Sequence, residues 1–387
     1  MSPTESLTAQ LERLAAFEPA PYPVISVYLN TQSGQHGRDQ HQAFIRKEFK
    51  ARSRTYPPNS PERASLDRDL EKISRYLDTE LQRSSNSVAI FACSAGELFE
   101  TVQMAALIDR HWLHIGDRPH LYPLARLESQ YPTYAAVITD TNTARILVFT
   151  AGEIVSEHAI NNVKTRATSQ GGWSQARYQR HIVNFHQQHA KEVVEALERI
   201  VREEGIDHIV LSCDEVSRPL LRSQMPKQLE AKIVDNVRLE AHASADAIVR
   251  RTHEAMQRLN ERTDREKVEA AIGAYRAGGL GVVGPEDTLA ALLKGQVDEL
   301  LIGATMAQMQ AVPVGQTIGS ANDAVLAEPV VEPVSAGEAA DSPPDVVRLA
   351  DELITRAKQT SARITFIEDP ELLKDYGGVA ALLRFTI

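Results

Sequence analysis

Residues 164–191, KTRATSQGGWSQARYQRHIVNFHQQHAK, carry Lys164, Arg166, Arg177, Arg180 and Lys191 without one Asp or Glu, in a 387-residue chain of formal net charge −10. At the centre Gly171 and Gly172 precede Trp173, Ser174 and Gln175. The residues after this centre predict a long amphipathic helix, whose second half repeats Ala190, Val193, Leu197 and Ile200 at a period near 3.6. Adjacent glycines cost backbone entropy that a plain linker does not require, and they let the main chain approach a partner closely. A basic loop tipped by two glycines and anchored on a helix suits a polyanionic surrounding. On composition alone, the same residues also read as a basic surface linker with Trp173 folded against its own domain.

Working outward, residues 134–139, 144–150 and 153–158 predict three strands, separated by Asp140-Thr141-Asn142-Thr143 and Ala151-Gly152. Beyond the helix, Gly205 is a stop, 208–211 a buried-looking strand and 219 to about 229 a further helix, giving a mixed α/β layer. Upstream, the pattern is α+β: helix 4–16, strand 24–29, a polar loop over 32–39, helices 41–54 and 62–82, and strands 88–93 and 98–104. The helix over 62–82 presents Leu66, Leu70, Ile73, Leu77 and Leu81 as one stripe. Downstream, a charged helix over about 243–277 has break points near Thr263-Asp264 or Gly273. Helix 286–294 and strand 299–302 come next. Residues 312–344 are rich in Pro, Gly, Ala and acid, lack periodicity, and predict a mobile insertion. Order returns with helix 346–358, strand 363–367, a short helix at 371–373 and strand 381–385. The plan is three domains: 1–127 α+β, 128–240 central, and 241–387 α/β.

Length alone predicts two or three domains. Hydrophobic content of 43% and charged content of 24% are those of ordinary soluble globular protein. The polar N-terminus, with Glu5, predicts no signal or transit peptide, and no apolar run approaches the roughly 20 residues of a membrane helix. Cys93 and Cys213 are too few for a disulfide framework or a zinc site, so a reducing cytosol is the expected compartment. A pI near 5.7 argues against coating nucleic acid non-specifically. A local basic loop on an acidic body still directs a protein to one phosphate-lined site. Nothing in the chain demands a dimer, and a monomer is expected.

Three patterns compete for chemistry. Gly279, Gly281 and Gly284 satisfy GxGxxG, but a helix precedes them and 280–283 itself reads as strand. Close packing of a strand on a helix explains them better than a dinucleotide. His181, His186 and His189 lack a companion acid or Cys, so they read as a solvated, partly basic helix face rather than a metal site. Asp140 and Asp214-Glu215, just past apolar strands, are either turn formers or carboxylates holding Mg²⁺ for phosphodiester cleavage. No GxSxG, P-loop or HExxH motif is present. No cofactor and no resident metal are expected.

The 164–197 stretch resembles the central-domain loop and helix of the archaeal and eukaryotic class I peptide chain release factors. In that family a basic segment leads to Gly-Gly-Gln, then Ser-x-x-Arg-Phe-x-Arg, then a long helix; Arg177, Tyr178 and Arg180 resemble the Arg, the aromatic and the second Arg. IDHIVLSCDEVSRPLL is similar to the family's next strand and loop, and YAAVITDTNTARILVFTAGEI to the opening hairpin of its RNase H-like central domain. GVVGPEDTLAALLKGQVDELLI is similar to its C-terminal domain of kink-turn-binding ribosomal-protein type. Two departures stand out. Trp173 and Ser174 separate Gly-Gly from Gln175, a spacing that resembles the branch releasing nascent chains from stalled ribosomes. The first domain also lacks the Asn-Ile-Lys-Ser tetrad associated with stop-codon reading.

The resemblance implies ribosome-dependent hydrolysis of peptidyl-tRNA, codon-independent, in the cytoplasm. It implies that Gly171, Gly172 and Gln175 are catalytic, and that Lys164, Arg166, Trp173, Arg177 and Arg180 bind rRNA or tRNA. The implied partners are the ribosome and its P-site peptidyl-tRNA, with a ribosome-splitting factor or translational GTPase as a further candidate. Two alternatives stay open: a non-catalytic ribosome- or tRNA-binding factor, and a metal-dependent RNase H-like nuclease built on Asp140 and Asp214.

Overall fold

The computed structural model describes the chain except for residues 1–6, 19–20, 33–39, 83–84, 105, 109, 162–173, 241, 312–333, 338–341 and 386–387. Contacts divide it into two compact units, Met1–Gln130 with Glu261–Ile387, and Tyr131–Asn260.

The N-terminal elements are α1 (Leu7–Ala15), β1 (Val24–Asn30), α2 (Gln40–Ser53), α3 (Pro61–Thr79), β2 (Ser87–Cys93), β3 (Leu98–Met104), β4 (Trp112–Gly116) and α4 (Tyr122–Gln130). Ser60 starts α3 by accepting the Arg63 N–H on its hydroxyl at 3.1 Å, with Pro61 at the first helical position. The predicted stripe Leu66, Leu70, Ile73 and Leu77 packs on Ile25, Val27, Val88 and Ile90. β4 and α4 escaped the sequence reading. WLHIG is five residues interrupted by His114, too short to show a period.

The Tyr131–Asn260 unit contains β5 (Tyr134–Thr139), β6 (Thr143–Thr150), β7 (Glu153–Asn161), α5 (Ser174–Glu203), β8 (His208–Cys213), α6 (Ser217–Gln224), α7 (Lys227–Glu230), β9 (Ile233–Asn236) and the first part of α8 (Ala245–Arg276). Its sheet order is β7-β6-β5-β8-β9, antiparallel from β7 to β5 and parallel from β5 to β9. Strand alternation decides the layering. Ala135 and Val137 face α5 through Ala190, Val193 and Leu197, whereas Tyr134, Ala136 and Ile138 face Ile248, Ala255 and Met256 of α8. Both faces are covered, so β5 is buried throughout and apolar up to Ile138. The expected helix over 219–229 is two pieces, because Pro226 cannot continue α6. The sequence placed the central domain's end at residue 240. Here α8 supplies the layer on the second face, and the unit runs to Asn260.

The remaining elements are β10 (Gly281–Val283), α9 (Pro285–Leu293), β11 (Val297–Gly303), β12 (Val334–Gly337), α10 (Pro344–Gln359), β13 (Arg363–Ile367) and β14 (Val379–Leu383). β10, β14, β11 and β13 form a four-stranded sheet in that order, parallel only between β11 and β13. α8 is continuous through the expected break points. Val268 and Ala271 seat its later turns against Leu301 and Ala380, and Asp264 is buried rather than a surface breaker. Part of the expected insertion is strand: β12 lies antiparallel on β4 and makes the first sheet β12-β4-β1-β2-β3. Four residues cannot display a period, so no local signal marked it.

Candidate functional site

The loop expected to act lies between β7 and α5. Lys164, Arg166, Gly171, Gly172 and Trp173 fall outside the described residues. Gln175, Arg177 and Arg180 lie in the first two turns of α5. From residue 182 onward the burial of α5 is informative. Ile182, Phe185 and His186 are half-buried, Val183, Asn184, Gln187 and Gln188 are exposed, and the first fully buried residue is His189. At ~1.5 Å per residue, Ser174 lies about 22 Å along the axis from His189. The second half of the helix packs in the core, where each fully buried Val, Leu or Ile contributes on the order of 1.5–3 kcal/mol. The apolar stripe confined to that half was legible in the sequence.

His189 corrects one expectation. It is 2% exposed, not solvated. Burial lowers its pKa, opposed by the Thr143 carbonyl and the Asp140 carboxylate, so the ring ties α5 to the β5–β6 turn as a neutral group. His186 lines the same small cleft, with Thr139, Asp140, Thr141 and Ser217.

The register Thr139↔Cys213 brings Asp140 and Asp214 to the same end of adjacent parallel strands, as the nuclease alternative required. Their oxygens are engaged locally. Asp140 Oδ1 accepts the Asn142 and Thr143 N–H groups, each at 2.7 Å, and Asp214 Oδ1 accepts the Ser217 N–H at 2.6 Å. Burial works against ionising Asp140, but those N–H groups and His189 outweigh it and hold the carboxyl below its usual range. Asp214 and Glu215 are exposed. Among the described residues no group of three or more His, Cys, Asp or Glu comes together to hold a metal. The turn-forming reading accounts for both aspartates.

The GxGxxG glycines have packing roles. A Cβ on Gly281 would lie 2.4 Å from the Ala271 oxygen and 2.5 Å from the Tyr275 nitrogen, so only glycine lets β10 lie this close to α8. Gly284 has φ 88° at the start of α9.

The sheet order β7-β6-β5-β8-β9, with α5 following the edge strand β7, makes this unit a mixed α/β layer. Residues 119–257 match the model of the bacterial archaeo-eukaryotic release factor family 10. The match spans 139 of the chain's 387 residues, across most of the Tyr131–Asn260 unit. A Mycobacterium tuberculosis protein, Rv2629, is 24% identical over 288 residues, covering 71% of each chain. Among solved structures, the archaeal translation termination factor aRF1 is 17% identical with a TM-score of 0.27, covering 98% of this chain and 97% of that one. Saccharomyces cerevisiae Dom34 is 8% identical with a TM-score of 0.42, covering 81% of this chain and 76% of that one. Archaeoglobus fulgidus Pelota is 11% identical with a TM-score of 0.33, covering 81% and 91%. No described helix is long and apolar enough to cross a membrane.

Proposed function

We propose that the chain hydrolyses the ester joining a nascent peptide to the 3′ end of tRNA, on the ribosome and without reading a codon. The observation that carries this is the length of α5: it starts at Ser174, just after the Gly-Gly pair in sequence, about 22 Å along its axis from His189, and residues 182–188 before His189 are half-buried or exposed. A segment so carried can enter a deep RNA-lined site while the domain stays outside it. The release-factor match over residues 119–257 supports the same reading.

The reaction needs a positioned water, donors for the oxyanion that develops on the ester carbonyl, and exclusion of stray water. The first N–H groups of a helix have no intrahelical partner, and in α5 these include those of Ser174, Gln175 and Ala176. Gln175 would orient the water by its side-chain amide or donate to the oxyanion by its N–H. Gly171 and Gly172 would let the backbone pass close to rRNA. Lys164, Arg166, Arg177 and Arg180 would hold phosphates, and Trp173 would stack on a base, a contact worth about 1–3 kcal/mol elsewhere. The partners are then the ribosome and its P-site peptidyl-tRNA, with a translational GTPase or ribosome-splitting factor as a further candidate, in the cytoplasm.

A second reading is a non-catalytic factor that occupies the ribosome. The placement of Gln175 inside α5, rather than in the loop, favours it. Single-turnover release of a labelled nascent peptide from purified stalled ribosomes separates the two. Release by the wild type that collapses in Gln175→Ala and in Gly171→Ala/Gly172→Ala is the expected result. Ribosome binding without release by the wild type would leave the non-catalytic reading.

A further inference from the structure

The Tyr131–Asn260 unit carries a second group of cations, outside the 164–180 stretch. Arg251 and Arg258 stand seven residues apart on α8, and Arg238 lies two residues beyond β9. All three line one open cleft with Asp235, Val237 and Glu254. Arg258 Nη2 lies 2.8 Å from Asp235 Oδ2, and Arg251 Nη1 lies 3.0 Å from Glu254 Oε2. Arg238 is exposed and has no ion pair among the described residues.

Anchoring of α8 on β9 explains Arg258 alone. The carboxylate partner of Arg251 is on its own helix, and Arg238 pairs with no described carboxylate, so neither is needed to dock the two elements. Arg251 and Arg258 side chains are 60% and 58% exposed, and ion pairs this open to water contribute little and exchange readily. An arriving phosphate can take either guanidinium, and the guanidinium fork fits two phosphate oxygens at once.

We propose that Arg238, Arg251 and Arg258 form a second RNA-backbone site on this unit, recognising the phosphates of a helical RNA. Spacing supports RNA over a lone anion. Seven residues of helix separate Arg251 from Arg258 by about 10 Å along the axis. One strand of a B-form DNA duplex carries a phosphate about every 3.4 Å of axis and an A-form RNA helix is more closely spaced, so the two arginines reach phosphates roughly three to four steps apart. Arg238, from another element, reaches the same track. A site of this kind sets the orientation of the unit on RNA and carries no base sequence information. It does not depend on hydrolysis, so peptide release can fail while this site stands.

The test is fluorescence anisotropy of the full-length protein with a labelled RNA hairpin between 50 and 200 mM KCl, comparing wild type, Arg238→Gln, and Arg238→Gln/Arg251→Gln. Neither substitution removes a bond between elements, and thermal melts of the variants check their folding. Each phosphate contact adds about 0.9 to the log–log salt slope, roughly threefold in affinity over that range. The double variant should therefore lose about tenfold less affinity than the wild type as salt rises, and the single variant about threefold less. A Lys164→Gln/Arg166→Gln protein should still show the drop when Arg238→Gln is added. Wild-type slope and affinity in the double variant would overturn the proposal. Displacement of the hairpin by polyglutamate at equal charge concentration would overturn it in favour of an acidic protein partner, and displacement by millimolar pyrophosphate in favour of a small-anion site.

Discussion

His120 Nδ1 donates to Asp351 Oδ2 at 2.7 Å across 231 residues of sequence, with both side chains buried. The other oxygen of Asp351 accepts the Leu121 and Tyr122 N–H groups at 2.8 and 3.0 Å, so one carboxylate of α10 caps the start of α4 and fixes the imidazole. The Trp112 ring stacks on His120 at 5.6 Å, and the Tyr28 hydroxyl donates to the His120 carbonyl at 2.6 Å. Removing one partner of such a buried pair leaves the others unsatisfied. Asp351→Ala should cost about 3–5 kcal/mol in urea unfolding. A cost below about 1 kcal/mol would show that the carboxylate is not what holds α4 in place.

His114 neighbours that pair, with its ring 4.9 Å from His120 and its Nδ1 2.9 Å from the Ser335 hydroxyl of β12. Burial, with His120 adding and Asp351 opposing, pushes its pKa from 6.5 down to about 3. The unfolded chain therefore binds the extra proton between these values. The contribution of this group is complete above about pH 6.5 and is lost as pH falls toward 3, at up to about 1.4 kcal/mol per pH unit. Asp264, raised to about 6 mainly by burial, works in the opposite direction between about pH 4 and 6, but is common to wild type and variant. Urea midpoints from pH 7 to 4.5 should fall more steeply for the wild type than for His114→Gln. Parallel curves would show that His114 does not stay neutral when folded.

Gly281→Ala should destabilise by about 1–3 kcal/mol, since the new methyl meets α8 backbone that cannot rotate away. Gly279→Ala should be nearly silent, because its Cβ would meet only the Ala274 oxygen at 3.5 Å, an ordinary contact. Thermal melts of the two variants check this. Equal costs would mean the close approach at Gly281 is not what selects glycine.

Asp140→Ala should cost about 1–3 kcal/mol by freeing the Asn142 and Thr143 N–H groups, and Asp140→Asn, which keeps an acceptor oxygen, should cost less. Neither variant should change RNA turnover in Mg²⁺. Mg²⁺-dependent cleavage by the wild type that disappears in Asp140→Asn would restore the nuclease reading.

Local sequence was a good guide wherever a period of 2 or 3.6 ran long enough to register. The α3 stripe from Leu66 to Leu77, the meander β5–β7 and the apolar second half of α5 were all readable; the acid-free Gly-Gly stretch is a sequence signal that falls outside the described residues. The Pro226 stop between α6 and α7 is also a local signal. Other features had no local signal. β4 and β12 are too short to show alternation, and each is strand because a neighbour takes up its N–H and C=O groups. The choice of α5 and α8 as the two covers of β5, the burial of His189, and the union of His120 with Asp351 depend on which distant side chains exclude water together. That is a property of long-range packing, and periodicity within one segment does not encode it.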